Sequence, residues 1–255
     1  MSVKISRILV CLFALALAFS ATIAIISRSK PTSFSAPQSR MAARSFVLWL
    51  HGLGDSGPAN EVIKSLFTSA EFNATKWSFP SAPNNPVTCN HGAVMPSWFD
   101  INEIPVTAHS PQNVSSLLNA VRSVHKMLDK EIASGTSPNN VFVCGFSQGG
   151  ALALASVLLY PKSLGGCAVF SGWVPFDHSI SDQITSDAKK TPVLWQHGMD
   201  DRIVLFEAGQ AGPPFIAKAG MSCEFKAYSG LQHSLNNEEF HVLGSWIKSR
   251  LQSSS

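Results

Sequence analysis

The chain has 255 residues, 45% of them hydrophobic and 14% charged; this suffices for one sizeable core and excludes a chain disordered throughout. The formal charge of +3 hides a split: the first 44 residues hold six basic residues and no acidic one, leaving 13 basic against 16 acidic in the body. A mildly acidic body excludes a wide basic groove, so no nucleic-acid partner is expected.

In chain order, residues 8–26 are nineteen residues without a charge, flanked by Lys4 and Arg7 before and Arg28 and Lys30 after. That length just spans a bilayer as a helix. Three uses fit: a transmembrane anchor, a signal peptide cleaved near Ala18-Phe19-Ser20, or an organelle-targeting segment. The domain is therefore expected in the cytoplasm, associated with a membrane through 8–26, or alternatively in the secretory pathway or an organelle. Residues 27–38 are rich in Ser and Pro and read as a linker. Residues 1–43 are set aside as leader and linker, and 44–255 are expected to form the catalytic domain.

The body begins with an apolar run, Ser45 to Leu50, that predicts a buried strand feeding the Gly-rich turn His51-Gly52-Leu53-Gly54. Helical spacing follows from Asn60 to Ala70, then a short strand from Lys76 to Pro80. Residues 81–111 are proline-rich with little periodicity and predict a long loop. Apolar residues three and four apart predict a helix over Val114–Ala133, stopped by Gly135 and Pro138. Strands are expected at Val141–Cys144, Gly166–Phe170, Val193–Gln196 and Cys223–Tyr228. Helices are expected at Gln148–Tyr160, Gln210–Lys218 and Glu238–Leu251. Apolar strands alternating with helices indicate an α/β fold, a mostly parallel sheet between two helical layers.

Gly145-Phe146-Ser147-Gln148-Gly149 is a G-x-S-x-G pattern between an apolar strand and an Ala/Leu-rich helix. That context exposes a serine hydroxyl above the sheet at a helix N-terminus. A serine needs a base. His233 follows the last strand and precedes the last helix; His241 falls inside that helix and His197 ends a strand at a Gly turn. The imidazole needs a carboxylate, and Asp200 and Asp201 both fit the order Ser, Asp, His. Spacing alone leaves both open. The Gln148 amide is one expected oxyanion donor, and the other is expected from the His51–Asp55 turn. Met95, Trp98, Phe99 and Trp173 are candidates for an apolar substrate groove. No H-E-x-x-H or close Cys/His cluster occurs, so neither metal nor cofactor is expected.

These blocks together resemble the acyl-protein thioesterase and lysophospholipase family, a carboxylesterase branch of the α/β-hydrolases. The resemblance spans about 45–251. It rests on LWLHGLGDSG at 48–57, Met95-Pro96-Ser97-Trp98-Phe99-Asp100, GFSQGG at 145–150, SGWVP at 171–175 and Gly230-Leu231-Gln232-His233-Ser234. It implies an α/β-hydrolase fold and a serine hydrolase for acyl thioesters or esters. The first expectation is an S-palmitoyl protein thioesterase with carboxylesterase activity, with lysophospholipase or short-chain esterase as the alternative. The substrate would be an acylated protein or a lipid ester. The family pattern H-G-x-x-D-x-x-V falls on His197, Gly198, Asp201 and Val204, which implies Asp201 as the acid. Leu53 and Gln148 are implied as the oxyanion donors, and a weak homodimer is implied for the assembly. Met199 and Arg202 depart from the family pattern at the rim.

Overall fold

The computed structural model describes residues 45–176 and 178–253. In chain order the elements are β1 Ser45–Leu50, α1 Gly57–Asn60, β2 Thr75–Ser78, β3 Asn84–Val87, β4 Ala93–Pro96, α2 Val114–Ala133, β5 Val141–Phe146, α3 Gln148–Leu158, β6 Gly166–Phe170, β7 Val193–Gly198, α4 Phe206–Gln210, α5 Gly212–Lys218, β8 Cys223–Tyr228 and α6 Asn237–Ser253. Six strands form one sheet in the order β2-β1-β5-β6-β7-β8, every pair parallel. This is the α/β-hydrolase fold.

Alternate residues of the inner strands enter opposite apolar layers, as the two-residue period of a strand requires. Phe46, Leu48 and Leu50 of β1 join one layer with Val141, Val143 and Trp195. Val47 and Trp49 join the other with Phe142, Cys144 and Leu194. The first layer is closed by α2 and α3. In α2 the stripe Leu117, Val121, Val124 and Leu128 is buried, and Asn113 caps the helix by accepting from the Ser116 amide at 3.2 Å. Every residue of α3 is buried, which explains its Ala/Leu composition. The second layer is closed by α6 through Phe240, Leu243, Trp246 and Ile247. Both faces of the sheet are thus covered, the condition under which apolar parallel strands are stable.

Three local expectations need correction. The helix expected from Asn60 is instead the one-turn α1 followed by a 3₁₀ segment, Glu61–Leu66. The loop expected over 81–111 contains an antiparallel hairpin, β3–β4, in which Asn85 faces Met95 and Val87 faces Ala93. Its turn uses left-handed residues at His91 (φ 54°) and Gly92 (φ 76°). The helix expected over 210–218 begins earlier and breaks in two at Ala211, with Pro213 in the opening turn of α5. The expected transmembrane or signal segment is also corrected. Residues 8–26 lie outside the described residues, and among the described residues no helix is long and apolar enough to cross a membrane.

Candidate active site

The turns that follow β1, β5, β6, β7 and β8 emerge at the carboxyl edge of the sheet, where open parallel sheets bind ligands. Ser147 occupies the turn between β5 and α3 with φ 55° and ψ −121°, a strained conformation for a residue with a side chain. The turn is held from behind: the Ser147 amide donates to the Phe170 carbonyl at 2.8 Å. Its glycines are required by close approach. A Cβ on Gly145 would lie 2.2 Å from the Gly149 carbonyl oxygen, and one on Gly149 2.0 Å from that of Leu50.

His233 lies between β8 and α6, its ring packed on Phe146 with centroids 4.8 Å apart. Ser147 Oγ lies 2.9 Å from His233 Nε2, and Asp201 Oδ2 lies 2.7 Å from Nδ1. With Nδ1–H donating to the carboxylate, Nε2 is left as the acceptor for the serine hydroxyl. Of the two adjacent aspartates, Asp201 is the one that meets His233. It is buried, whereas Asp200 is exposed. Its Oδ1 accepts from the Ile203 and Val204 amides, both at 2.9 Å. Burial alone would raise the Asp201 carboxyl; the hydrogen bond and charge of His233, with those two amides, outweigh it and hold the group below its ordinary value. His197 lies beneath, fully buried, with Nε2–H donating to the Val204 carbonyl at 3.0 Å. Burial lowers its pKa, which favours the neutral ring. His241 lies within α6.

Leu53, Ser147 and His233 line one cleft of about 190 Å³, together with Trp173. Its apolar wall is Ile101, Ile104, Val106, Phe146, Ile203 and Val204. Neither the Leu53 nor the Gln148 main-chain amide has a partner among the described residues, so both are free to donate. Of the four residues expected to line the groove, Trp173 lines this cleft. Met95, Trp98 and Phe99 are not among the residues lining it, and Trp98 and Phe99 line a neighbouring pocket with Ser116 and Met127. Met95 pairs with Asn85 in the hairpin; Trp98 and Phe99 are buried, and the Phe99 ring packs on Trp173 with centroids 6.0 Å apart. The Trp98 indole N–H donates to the His51 carbonyl at 2.8 Å, so this side chain holds the turn that carries Leu53. Asp55 has an anchoring place too, accepting from the Ser56 amide and Asn60 Nδ2.

The wall residues from 101–106 and 203–204 are the ones that sequence reasoning missed. They meet because Val106 and Val204 form a parallel bridge, with the Val106 amide donating to Ile203 O at 2.8 Å. Runs of Ile and Val inside loops are the one signal that marks them. Among the described residues no group of three or more His, Cys, Asp or Glu side chains is arranged to hold a metal ion.

Residues 33–251 match the family model described as phospholipase/carboxylesterase. The chain is 66% identical over 231 residues, covering 90% of this chain and 88% of the relative, to a probable carboxylesterase SOBER1-like of Arabidopsis thaliana. It is 35% identical to acyl-protein thioesterase 1 of Cryptococcus neoformans, over 81% of this chain and 92% of the relative. The crystal structure of Arabidopsis thaliana SOBER1 matches with a TM-score of 0.81 at 64% identity, covering 82% of this chain and 100% of that one. The chain belongs to the phospholipase/carboxylesterase family of α/β-hydrolases, serine hydrolases of the esterase and thioesterase type.

Proposed function

We propose that this family member is an active serine hydrolase that cleaves acyl esters and thioesters with Ser147 as nucleophile, His233 as base and Asp201 as the orienting acid. The observation that carries this reading is the unbroken hydrogen-bonded run from Ser147 Oγ through the His233 ring to Asp201, at 2.9 and 2.7 Å, beside a cleft with two unpaired amides. Ser147 Oγ attacks the acyl carbon as its proton passes to His233 Nε2. The carbonyl electron pair moves to oxygen, where the Leu53 and Gln148 amides stabilise it; each is worth ~3 kcal/mol in comparable hydrolases. Collapse breaks the bond to the thiol or alcohol, which takes the proton from Nε2. Water then repeats the two steps, releasing the acid and restoring Ser147.

The size of the cleft bears on the acyl group. At about 190 Å³ it is smaller than the ~300 Å³ at which ordinary ligand pockets begin. That favours a short acyl group, and it weighs against a palmitoyl chain buried along its length. The likeness to acyl-protein thioesterase 1 supports thioesters beside oxygen esters as the bond cleaved. A fluorophosphonate probe is expected to label the wild type and not Ser147→Ala. Acetyl, butyryl and palmitoyl esters and thioesters, with a lysophospholipid, then rank the substrates. A wild type that neither labels nor turns over any of them overturns the hydrolase reading and leaves a binding module on the same scaffold.

A further inference from the structure

Gln148 is fully buried, yet its side chain is a primary amide with two donors and an acceptor to satisfy. All are satisfied by a single short segment. Oε1 accepts from the Trp98 amide at 3.0 Å, and Nε2 donates to Ser97 Oγ at 2.9 Å and to the Phe99 carbonyl at 2.6 Å. The first residue of α3 is therefore clamped to residues 97–99. The same stretch of chain holds the other side of the oxyanion site. Trp98 Nε1 donates to the His51 carbonyl at 2.8 Å, its ring packs on His51 with centroids 5.0 Å apart, and the Gly54 amide donates to the Pro96 carbonyl at 2.8 Å. These two bonds bracket Leu53. The His51 ring adds a third tie, its Nε2 accepting from the Ala82 amide at 3.0 Å.

We infer that the Gln148 side chain is a positioning residue that fixes the Leu53 amide relative to the Gln148 amide, so that one residue supplies one oxyanion donor through its main chain and places the other through its side chain. This rests on the hydrolase reading above. The requirement it answers is geometric. Two amides stabilise a tetrahedral oxyanion only when both point at one position, and they do so without reorganisation only if the segments bearing them are rigidly joined. A glutamate at this position lacks the donors for Ser97 Oγ and Phe99 O, and a methionine lacks both donors and acceptor. Either leaves buried polar groups unpaired, while the main-chain amide of residue 148 survives in both.

The test uses the full chain with Gln148→Met, Trp98→Phe and the double variant. Trp98→Phe removes the indole bond to His51 and leaves Gln148 untouched, and Gln148→Glu, which keeps the acceptor for the Trp98 amide, keeps the inference testable if Gln148→Met does not fold. With a short-chain ester, each single variant is expected to lower kcat by about 10- to 100-fold with KM changed less than about threefold, because the lost interaction acts in the transition state. The double variant is expected to fall little below the worse single one, as members of one chain are not additive. Independently of turnover, amide hydrogen exchange in the 51–56 peptide is expected to rise in each variant while that of α2 stays unchanged, through loss of protection at Gly54. An active wild type whose variants keep kcat and exchange overturns the inference and leaves the hydrolase reading standing. A wild type with no turnover overturns both.

Discussion

Asp201 ties the His233 ring to the turn after β7. Its two oxygens have separate tasks, Oδ1 holding the Ile203 and Val204 amides and Oδ2 facing His233. In Asp201→Asn, Oδ1 still accepts from both amides, but the Nδ2 amino group now points at Nδ1. The ring answers by keeping its proton on Nε2, the tautomer that cannot take the serine proton. Turnover is expected to drop by about 10⁴-fold, the scale found when the acid of another Ser-His-Asp site is amidated, with little change in the thermal midpoint at neutral pH. The acid limb follows from the depressed carboxyl. A folded-state value below the unfolded 3.8 contributes stability that is present above about pH 3.8 and is lost as pH falls through the folded value. Melting curves from pH 3 to 7 should show a shallower acid decline in Asp201→Asn than in the wild type; parallel curves would contradict this.

At the scale of one element, α6 fixes the loop that bears His233. Asn236 and Glu239 cap it reciprocally: the Glu239 amide donates to Asn236 Oδ1 and the Asn236 amide to Glu239 Oε2, both at 2.9 Å, a capping-box arrangement with Asn in place of Ser or Thr. Glu239 is fully buried, and its carbonyl accepts from Gln196 Nε2 at 3.1 Å, while Gln196 Oε1 accepts from the Tyr228 hydroxyl. Burial pushes the Glu239 carboxyl up to about 7, against the pull of the Asn236 amide and with help from the neighbouring Glu238. A raised carboxyl favours the folded state fully below its unfolded value of 4.5 and loses that contribution as pH rises to about 7. Glu239→Gln keeps an acceptor for the cap and removes the charge. It is expected to gain stability over the wild type at pH 8, on the order of 1–2 kcal/mol, and little at pH 4.5. Urea midpoints at the two pH values check this, and equal differences at both would refute it. The end of α2 was readable from sequence because its stop signals, Gly135 and Pro138, are local. The β3–β4 hairpin was not: Pro86 and Pro96 hide its alternation, and its pairing depends on a turn with left-handed residues that composition does not reveal.

Across the molecule, the meeting of Ser147 and His233 was legible because each sits at a strand end marked by its own local pattern, and parallel strands bring such ends to one edge. The choice of Asp201 over Asp200 came from the family pattern, since neighbouring residues differ only in which one the turn buries. The cleft wall was illegible for a longer-range reason. Val106 meets Val204 across the chain, and this contact brings both residues to the cleft that holds Ser147. If the acyl group of the proposed substrate enters this cleft, the same packing limits its length. Ile101, Val106 and Trp173 line both the cleft and a narrow gap beyond it. Ser110 and Gln112 line that gap and also a cavity of about 670 Å³ under Val174, Phe176 and Phe215. Ile101, with Val106 and Trp173, thus stands between the cleft and the narrow gap that adjoins the larger space. Ile101→Ala takes away part of this wall at a cost of about 2–4 kcal/mol in stability and is expected to lengthen the apolar path open to the substrate. Each further methylene that gains contact is worth roughly 1 kcal/mol at most in discrimination, so the ratio of octanoyl to acetyl ester kcat/KM should rise by about tenfold or more. The chain-length profile of both proteins decides the matter: an unchanged ratio in a folded, active Ile101→Ala would mean that the acyl group does not lie against this wall.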